Sequence, residues 1–172
     1  IEVDVVTASA FGRASAPSGA SRGKAEAVPY PKGGVDQATR VVKEIIAPEL
    51  IGIEADHQEE VDLLLHEIDG TPDFSNLGGN TTYAVSLATA EAAANSYGIP
   101  LFRHLAGRSV NELPFPLGNV LGGGRHVRGK APDIQEFLVL PLKANNFLNA
   151  AKINALVHQK VGSLLKKVDA NI

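Results

Sequence analysis

Phe115-Pro116-Leu117-Gly118-Asn119-Val120-Leu121-Gly122-Gly123-Gly124 is followed, ten residues on, by Ile134-Gln135-Glu136-Phe137-Leu138-Val139-Leu140-Pro141. The first stretch is a short apolar run that ends in three glycines. The second is apolar almost throughout, with Gln135 and Glu136 the exceptions. Strands of this kind suit a sheet covered on both faces. Asn146 to about Lys167 then has a helical period, with Leu148, Ala151, Ile153, Leu156, Val157 and Val161 available for burial. Two short parallel or barrel-type strands and one helix cannot close a core, because the strand edges need further neighbours. The sequence therefore divides near residue 107, and the expectation is that 107–172 is part of a larger sheet or barrel.

Toward the amino end the pattern is different. Ile1, Val3 and Val5 alternate with Glu2 and Asp4, the period of a half-buried strand. Ala8 to Gly12 reads as a turn, and Arg13-Ala14-Ser15-Ala16-Pro17 as the returning strand of an antiparallel hairpin. A small-residue stretch, Ser18-Gly19-Ala20-Ser21-Arg22-Gly23, opens a long loop rich in proline and glycine through Gly34. A long loop inside a compact domain is more often functional than idle. Three helices follow. Asp36 is positioned to cap the first, whose stripe is Ala38, Val41, Val42, Ile45 and Ile46, with Pro48 beyond it. Asp56 and Glu59 have capping-box spacing before Val61, Leu64, Leu65 and Ile68. Asn80 is positioned to cap an alanine-rich third helix that ends at Gly98 and Pro100. Leu101 to Leu105 adds a short helical turn. Residues 1–106 thus form an α+β unit.

Bulk properties narrow the function. The 172 residues are 44% hydrophobic and 20% charged, enough apolar content for a core and too little charge for a disordered chain. A net charge of -3 and a pI near 5.9 give no basic stripe for nucleic acid. No apolar run approaches the roughly 20 residues of a membrane helix. The start has neither the basic end nor the apolar stretch of a signal peptide. With no cysteine there is no thiolate chemistry, and a cytoplasmic location is the expectation. The absence of methionine, and a strand pattern from the first residue, lead us to expect that the chain begins inside a folded unit.

Three groups are candidates for chemistry. The triple glycine, followed by Arg125, His126, Arg128 and Lys130, has two readings. It is either a cradle of backbone amides for an anion or a flexible turn with solvated charges. It is neither a P-loop nor a dinucleotide fingerprint. Gln135 and Glu136 are a polar pair in an apolar strand: either an exposed strand end or, since they face opposite ways, one functional and one structural residue. If the strand belongs to a barrel, a polar residue near its end lies where barrel enzymes bind substrate. Ser21 has a hydroxyl that could ligate Mg²⁺ in a loop able to close, although most loop serines bond only the backbone. His57, His66, His104 and His158 lack partners at metal-ligand spacing, and Asp62, Glu67 and Asp69 read as a solvated helix face.

Together these segments resemble the enolase family. Ala16-Pro17-Ser18-Gly19-Ala20-Ser21 is similar to that family's mobile catalytic loop. Leu77-Gly78-Gly79-Asn80 with Val85-Ser86-Leu87-Ala88 matches its characteristic helix start, and Gly98-Ile99-Pro100-Leu101-Phe102-Arg103-His104-Leu105-Ala106 the end of its amino-terminal domain. Asn119 to His126 and Gln135-Glu136-Phe137 resemble its first barrel strands. Each segment alone is modest, but five in the right order are specific.

The resemblance implies an α+β amino-terminal cap domain at 1–106, then at 107–172 the first part of an enolase-type β/α barrel, with two strands and a helix present. It implies a Mg²⁺-dependent reversible dehydration of 2-phosphoglycerate to phosphoenolpyruvate in glycolysis. Ser21 matches the loop serine that joins a second Mg²⁺ ion. His126 matches the histidine beside the substrate phosphate, Gln135 a substrate contact, and Glu136 the carboxylate near the leaving hydroxyl. The family places its lysine base, main acid and carboxylate metal ligands on later barrel strands, so the expectation is that this chain stops short of them and is inactive alone. Family members are dimers or rings of dimers.

Some positions depart from the pattern. Arg22 follows Ser21 where many relatives have threonine, the connection from Val28 to Val35 is short in the manner of archaeal members, one extra residue lies between His126 and Glu136, and the strand that usually precedes Ile1 is absent. The alternative is a non-catalytic enolase-like fragment serving as a binding or assembly module. Another lyase or racemase of the superfamily is disfavoured by Ser21 and His126.

Overall fold

Glu2–Val6 (β1) and Phe11–Ser15 (β2) pair antiparallel in the computed structural model, with Val3 opposite Ala14 and Val5 opposite Gly12. The structure describes residues 1–17, 19, 22–107, 111–124, 127 and 131–168. Alternation sends Val3 and Ala14 into the core, while Glu2, Asp4, Arg13 and Ser15 face outward. On that outer face Arg13 grips Asp4 with both arms of its guanidinium, at 2.6 and 2.7 Å. The turn is Thr7 to Ala10, closed by the Thr7 N–H on the Ala10 carbonyl at 2.9 Å. The turn expected over Ala8 to Gly12 is thus shorter and starts earlier. Gly12 instead lies inside β2, and its small size serves a different purpose.

That purpose is contact with the helix Gly79–Ser96 (α4). A Cβ on Gly12 would lie 2.1 Å from the Ala88 carbonyl oxygen and 2.3 Å from the Ala92 nitrogen. The strand backbone therefore rests directly on the helix backbone. Alanine makes this possible from the other side: it is the best helix former and the slimmest side chain that is one. Ala84, Ala88, Ala92 and Ala94 are completely buried. A helix enclosed nearly all round is the central post of its unit. Thr82 and Thr89 are also buried there, each hydroxyl donating back to a carbonyl of the preceding turn.

The remaining helices complete the core around α4. Gly34–Val41 (α1) continues through a π-helical turn, Val42–Ile46, into Ala47–Leu50 (α2). Pro48, expected beyond the helix, sits within it. A proline has no N–H for residue 44, and the wider turn lies just before it. The extra residue also rotates the stripe: Ile46 is buried, while Ile45 is 44% exposed. Gln58–Asp69 (α3) contributes Val61 and Leu65 to a cluster with Val41, Ile46, Leu77 and Val85. Leu101–Ala106 (α5) follows α4 after Gly98, whose φ of +64° ends the helix.

Two expected caps are absent. Asp36 lies in the first turn of α1, which starts two residues earlier with no side-chain cap. Asp56 and Glu59 form no capping box, because α3 begins at Gln58 and Asp56 has a tertiary partner, the Tyr97 hydroxyl. That bond lowers the Asp56 pKa and raises that of Tyr97. The Asp56 contribution to stability is therefore lost as pH falls through its lowered pKa, and the Tyr97 contribution as pH rises through its raised one. Asp69, read as part of a solvated face, is 1% exposed. Its carboxylate accepts from the N–H groups of Thr71, Asn76 and Leu77 at 3.0, 3.1 and 2.7 Å, and from the Thr71 hydroxyl. It thereby folds the loop that leads into α4.

Contacts divide the chain into two units, Ile1–Val110 and Asn111–Ile172. In the second, Gly118–Gly122 (β3) and Glu136–Val139 (β4) pair antiparallel, with an irregularity between Asn119 and Leu121. Phe147–Val168 (α6) packs on β3 and is capped by the Asn146 side chain, which accepts the Asn149 N–H at 2.9 Å. Asn154 on α6 donates to the Pro116 carbonyl at 2.8 Å. These strands form no closed barrel. Both faces of β4 and much of the α6 stripe are open: Leu138 is 45% exposed, Leu148 62% and Leu156 64%. The apolar character of these elements is that of parts meant for a larger sheet.

Gly12→Ala should destabilise the first unit by about 3 kcal/mol, since neither backbone can yield to the added methyl. Urea unfolding checks this, and a loss below about 1 kcal/mol would contradict the close packing.

Candidate functional site

The loop that contains Ser21 has both flanks tied to α4. On the amino side, β2 lies against Ala88 and Ala92 and leads directly to Pro17. On the carboxyl side, Gly79 and Asn80 donate their N–H groups to the carbonyls of Val28 and Pro29 at 2.7 and 3.0 Å. The N–H groups at a helix start have no partner within the helix. The sequence reading assigned Asn80 as the cap, but here the long loop supplies the cap through its backbone. Its approach is close: a Cβ on Gly78 would lie 2.8 Å from Tyr30 Cα, and one on Gly79 would lie 2.9 Å from Ala27 Cβ. Val28 N–H also donates to Asp73 O at 2.7 Å.

Between these anchors, residues 22–26 close on themselves. Gly23 N–H donates to Glu26 Oε2 at 2.9 Å, and Arg22 Nη2 donates to the Glu26 carbonyl at 2.9 Å. A cleft of about 570 Å³ opens beside this turn, lined by Pro17, Gly19, Arg22, Glu26, Tyr30, Asn80 and Tyr83 among others. Gly19 is exposed there. Ser18, Ala20 and Ser21 lie outside the described residues, as do Arg125, His126, Arg128 and Lys130. A second cleft, of about 630 Å³, runs between β1, residues 50–56 and the end of α4. It contains none of the candidate residues.

In the second unit the antiparallel register decides what meets. It brings the beginning of β4 to the end of β3, so that Glu136 pairs with Gly122. Gln135 lies immediately before the strand rather than within it, and Gly123 N–H donates to its carbonyl at 2.7 Å. Gln135 and Glu136 are both exposed. They therefore stand at the sheet end from which the chain continues toward His126. The polar pair in an apolar strand is explained by position: it lies at an open strand end. A parallel pairing would have separated these groups by the length of the strands.

Of the triple-glycine segment the structure describes the glycines and not Arg125, His126, Arg128 or Lys130. Gly123 and Gly124 donate their N–H groups to Gln135 and Pro132 carbonyls at 2.7 and 2.8 Å. Gly123 is buried, and a Cβ there would lie 2.3 Å from the Ile134 carbonyl oxygen. The turn is thus packed against residues 132–135, a contact with no signature in a run of glycines.

Among the described residues no group of three His, Asp or Glu is placed to hold a metal ion. The described histidines have packing or surface roles where partners are visible. His66 lies against Phe74 with ring centroids 4.5 Å apart, His104 stacks near Tyr97, and His57 pairs with Glu60 at 3.2 Å. No helix of the described chain is long and apolar enough to cross a membrane.

Comparison with known proteins accords with this arrangement. The family model of the enolase N-terminal domain matches residues 1–105, and that of the enolase C-terminal TIM barrel domain matches residues 110–171. The enolase of Methanothermobacter thermautotrophicus is 52% identical over 169 residues, covering 98% of this chain and 41% of its own length. That of Methanosphaera stadtmanae is 50% identical with the same coverage. That of Pyrobaculum aerophilum is 44% identical over 159 residues, covering 92% of this chain and 38% of its own length. The chain spans about two-fifths of the length of these curated relatives.

Glu26→Ala should speed tryptic cleavage after Arg22 and Lys24 several-fold, while Glu26→Gln, which keeps an acceptor for Gly23, should stay near the unaltered rate. Equal rates for all three would show that the turn does not order this segment.

Proposed function

As the chain belongs to the enolase family, we propose that the whole protein dehydrates 2-phosphoglycerate reversibly to phosphoenolpyruvate with Mg²⁺, and that residues 1–172 carry the loop serine and one side of the substrate pocket. What most supports this reading is that enolase family models match residues 1–105 and 110–171, with Gln135 and Glu136 exposed at the end of β4 nearest Gly122. These are the positions that match the family's substrate-side groups.

The chemistry requires such groups. Removing a proton from the carbon beside a carboxylate concentrates negative charge on that carboxylate, and the enolase-superfamily pattern is a Lys or His base with one or two Mg²⁺ ions to hold it. Mg²⁺, when bound, supplies that charge stabilisation. The described residues provide no cage for it, and Ser21 is the one ligand we assign to this chain. The chain's other assigned side chains contribute part of the substrate pocket. Glu136 stands by the departing hydroxyl and assists its protonation, a role for which a carboxylate at an open strand end has the freedom and the water access. Gln135 donates to and accepts from the bound acid. His126 matches the family's histidine beside the substrate phosphate.

The lysine base, the main acid and the carboxylate ligands lie on barrel strands outside 1–172, and the 172-residue chain alone has no turnover. The cap domain is 1–106 and the barrel begins at 107. The whole protein works in the cytoplasm as a dimer or a ring of dimers.

The whole encoded protein with Mg²⁺ should convert 2-phosphoglycerate, and Glu136→Gln should lower kcat by about a hundredfold or more. A whole protein inert toward 2-phosphoglycerate overturns the activity and leaves the alternative, a non-catalytic binding or assembly module. Turnover by a chain of verified 172-residue mass overturns the division of groups.

A further inference from the structure

We propose that Gly123 is a positioning residue for Gln135 and Glu136, and that Gly123 and Gly124 contribute no backbone amide to phosphate binding. The assignment of Gln135 and Glu136 to the substrate rests on the function proposed above; the geometry of the glycines does not.

A backbone anion site needs successive N–H groups directed into an open concavity. Here two of the three glycine amides point the other way. Gly123 donates to the Gln135 carbonyl at 2.7 Å and Gly124 to the Pro132 carbonyl at 2.8 Å. Turning either amide toward an anion would leave a carbonyl of the 132–135 segment without its donor. Neither of these two amides is therefore available to a phosphate at this end of the sheet.

The same bonds set where the polar pair stands. Gly123 holds Gln135 by its carbonyl, and Gly122 faces Glu136 in the ladder. The fit at Gly123 is tight on two sides: an added Cβ would meet the Ile134 carbonyl oxygen at 2.3 Å and the Pro132 carbonyl oxygen at 2.5 Å. Both obstacles are backbone, so a side chain at 123 must displace the segment that leads into Gln135. Gly122 is different, because the nearest atom to an added Cβ is Val127 Cγ2 at 3.9 Å. Adjacent glycines thus have separable roles. A displacement of about 1 Å in a positioned group costs on the order of a hundredfold in rate.

Two measurements test this. In the ¹⁵N-labelled whole protein, the Gly123 and Gly124 amide protons should exchange slowly and keep their shifts as inorganic phosphate is added. A saturable shift of either resonance, or exchange as fast as an open loop, overturns the assignment of those amides. In the whole protein, Gly123→Ala should lower kcat/KM for 2-phosphoglycerate by about a hundredfold, with a lower kcat and a raised KM, whereas Gly122→Ala should lose less than about tenfold. Equal losses in the two variants overturn the positioning role. So do wild-type kcat and KM in a Gly123→Ala protein that is merely less stable. A whole wild-type protein without turnover would instead overturn the proposed function and the substrate role with it, and the amide measurement would still decide the geometry.

Discussion

The contact between Gly12 and the Ala88–Ala92 face of α4 is the constraint on which the first unit depends. A strand normally packs on a helix through two layers of side chains. Here the methyl groups of alanine are nearly all that separates the two backbones, and at Gly12 nothing does. Dispersion is short-ranged, so close approach multiplies many small contacts. It also allows little variation in the angle or height of the hairpin. The direction in which β2 delivers the chain to the loop at residue 18 is consequently set by a helix that begins more than sixty residues later.

The start of that same helix fixes the other end of the loop. The Val28 and Pro29 carbonyls satisfy N–H groups of α4 that would otherwise lack partners, so the helix and the loop stabilise one another. Asp69 prepares this meeting by folding residues 71–77 into the shape that precedes Gly78. Both flanks of the loop are thus anchored to one buried helix, with the small turn of Arg22, Gly23 and Glu26 held on the carboxyl side.

Much of this was legible in the sequence, and the misses share a cause. Alternation revealed β1, periodicity revealed α1, α3 and α6, and the glycine at 98 marked the end of α4. Those signals are local. Asp56 and Asn80 had the right spacing to cap helices, but a sequence does not display the Tyr97 hydroxyl or the Val28 carbonyl that claims those places instead. Gly12 and Gly123 read as turn residues because the usual reason for glycine is backbone freedom. In both cases the reason is an approaching backbone, which is visible only once distant segments have met. Asp69 was missed for the converse reason: its partners are close in sequence, but burial of the whole loop is not. The antiparallel pairing of β3 with β4 was similarly hidden, and it is this pairing that sets Glu136 beside Gly122.

The central claim is that α4 holds both flanks of the Ser21 loop, its start being capped by loop carbonyls. Native-state hydrogen exchange on the 172-residue chain tests it most directly. The account predicts that the amide protons of Gly79, Asn80 and Val28 exchange as slowly as those in the middle of α4. Rapid exchange of Gly79 and Asn80, at the rate of an uncapped helix end, would contradict it.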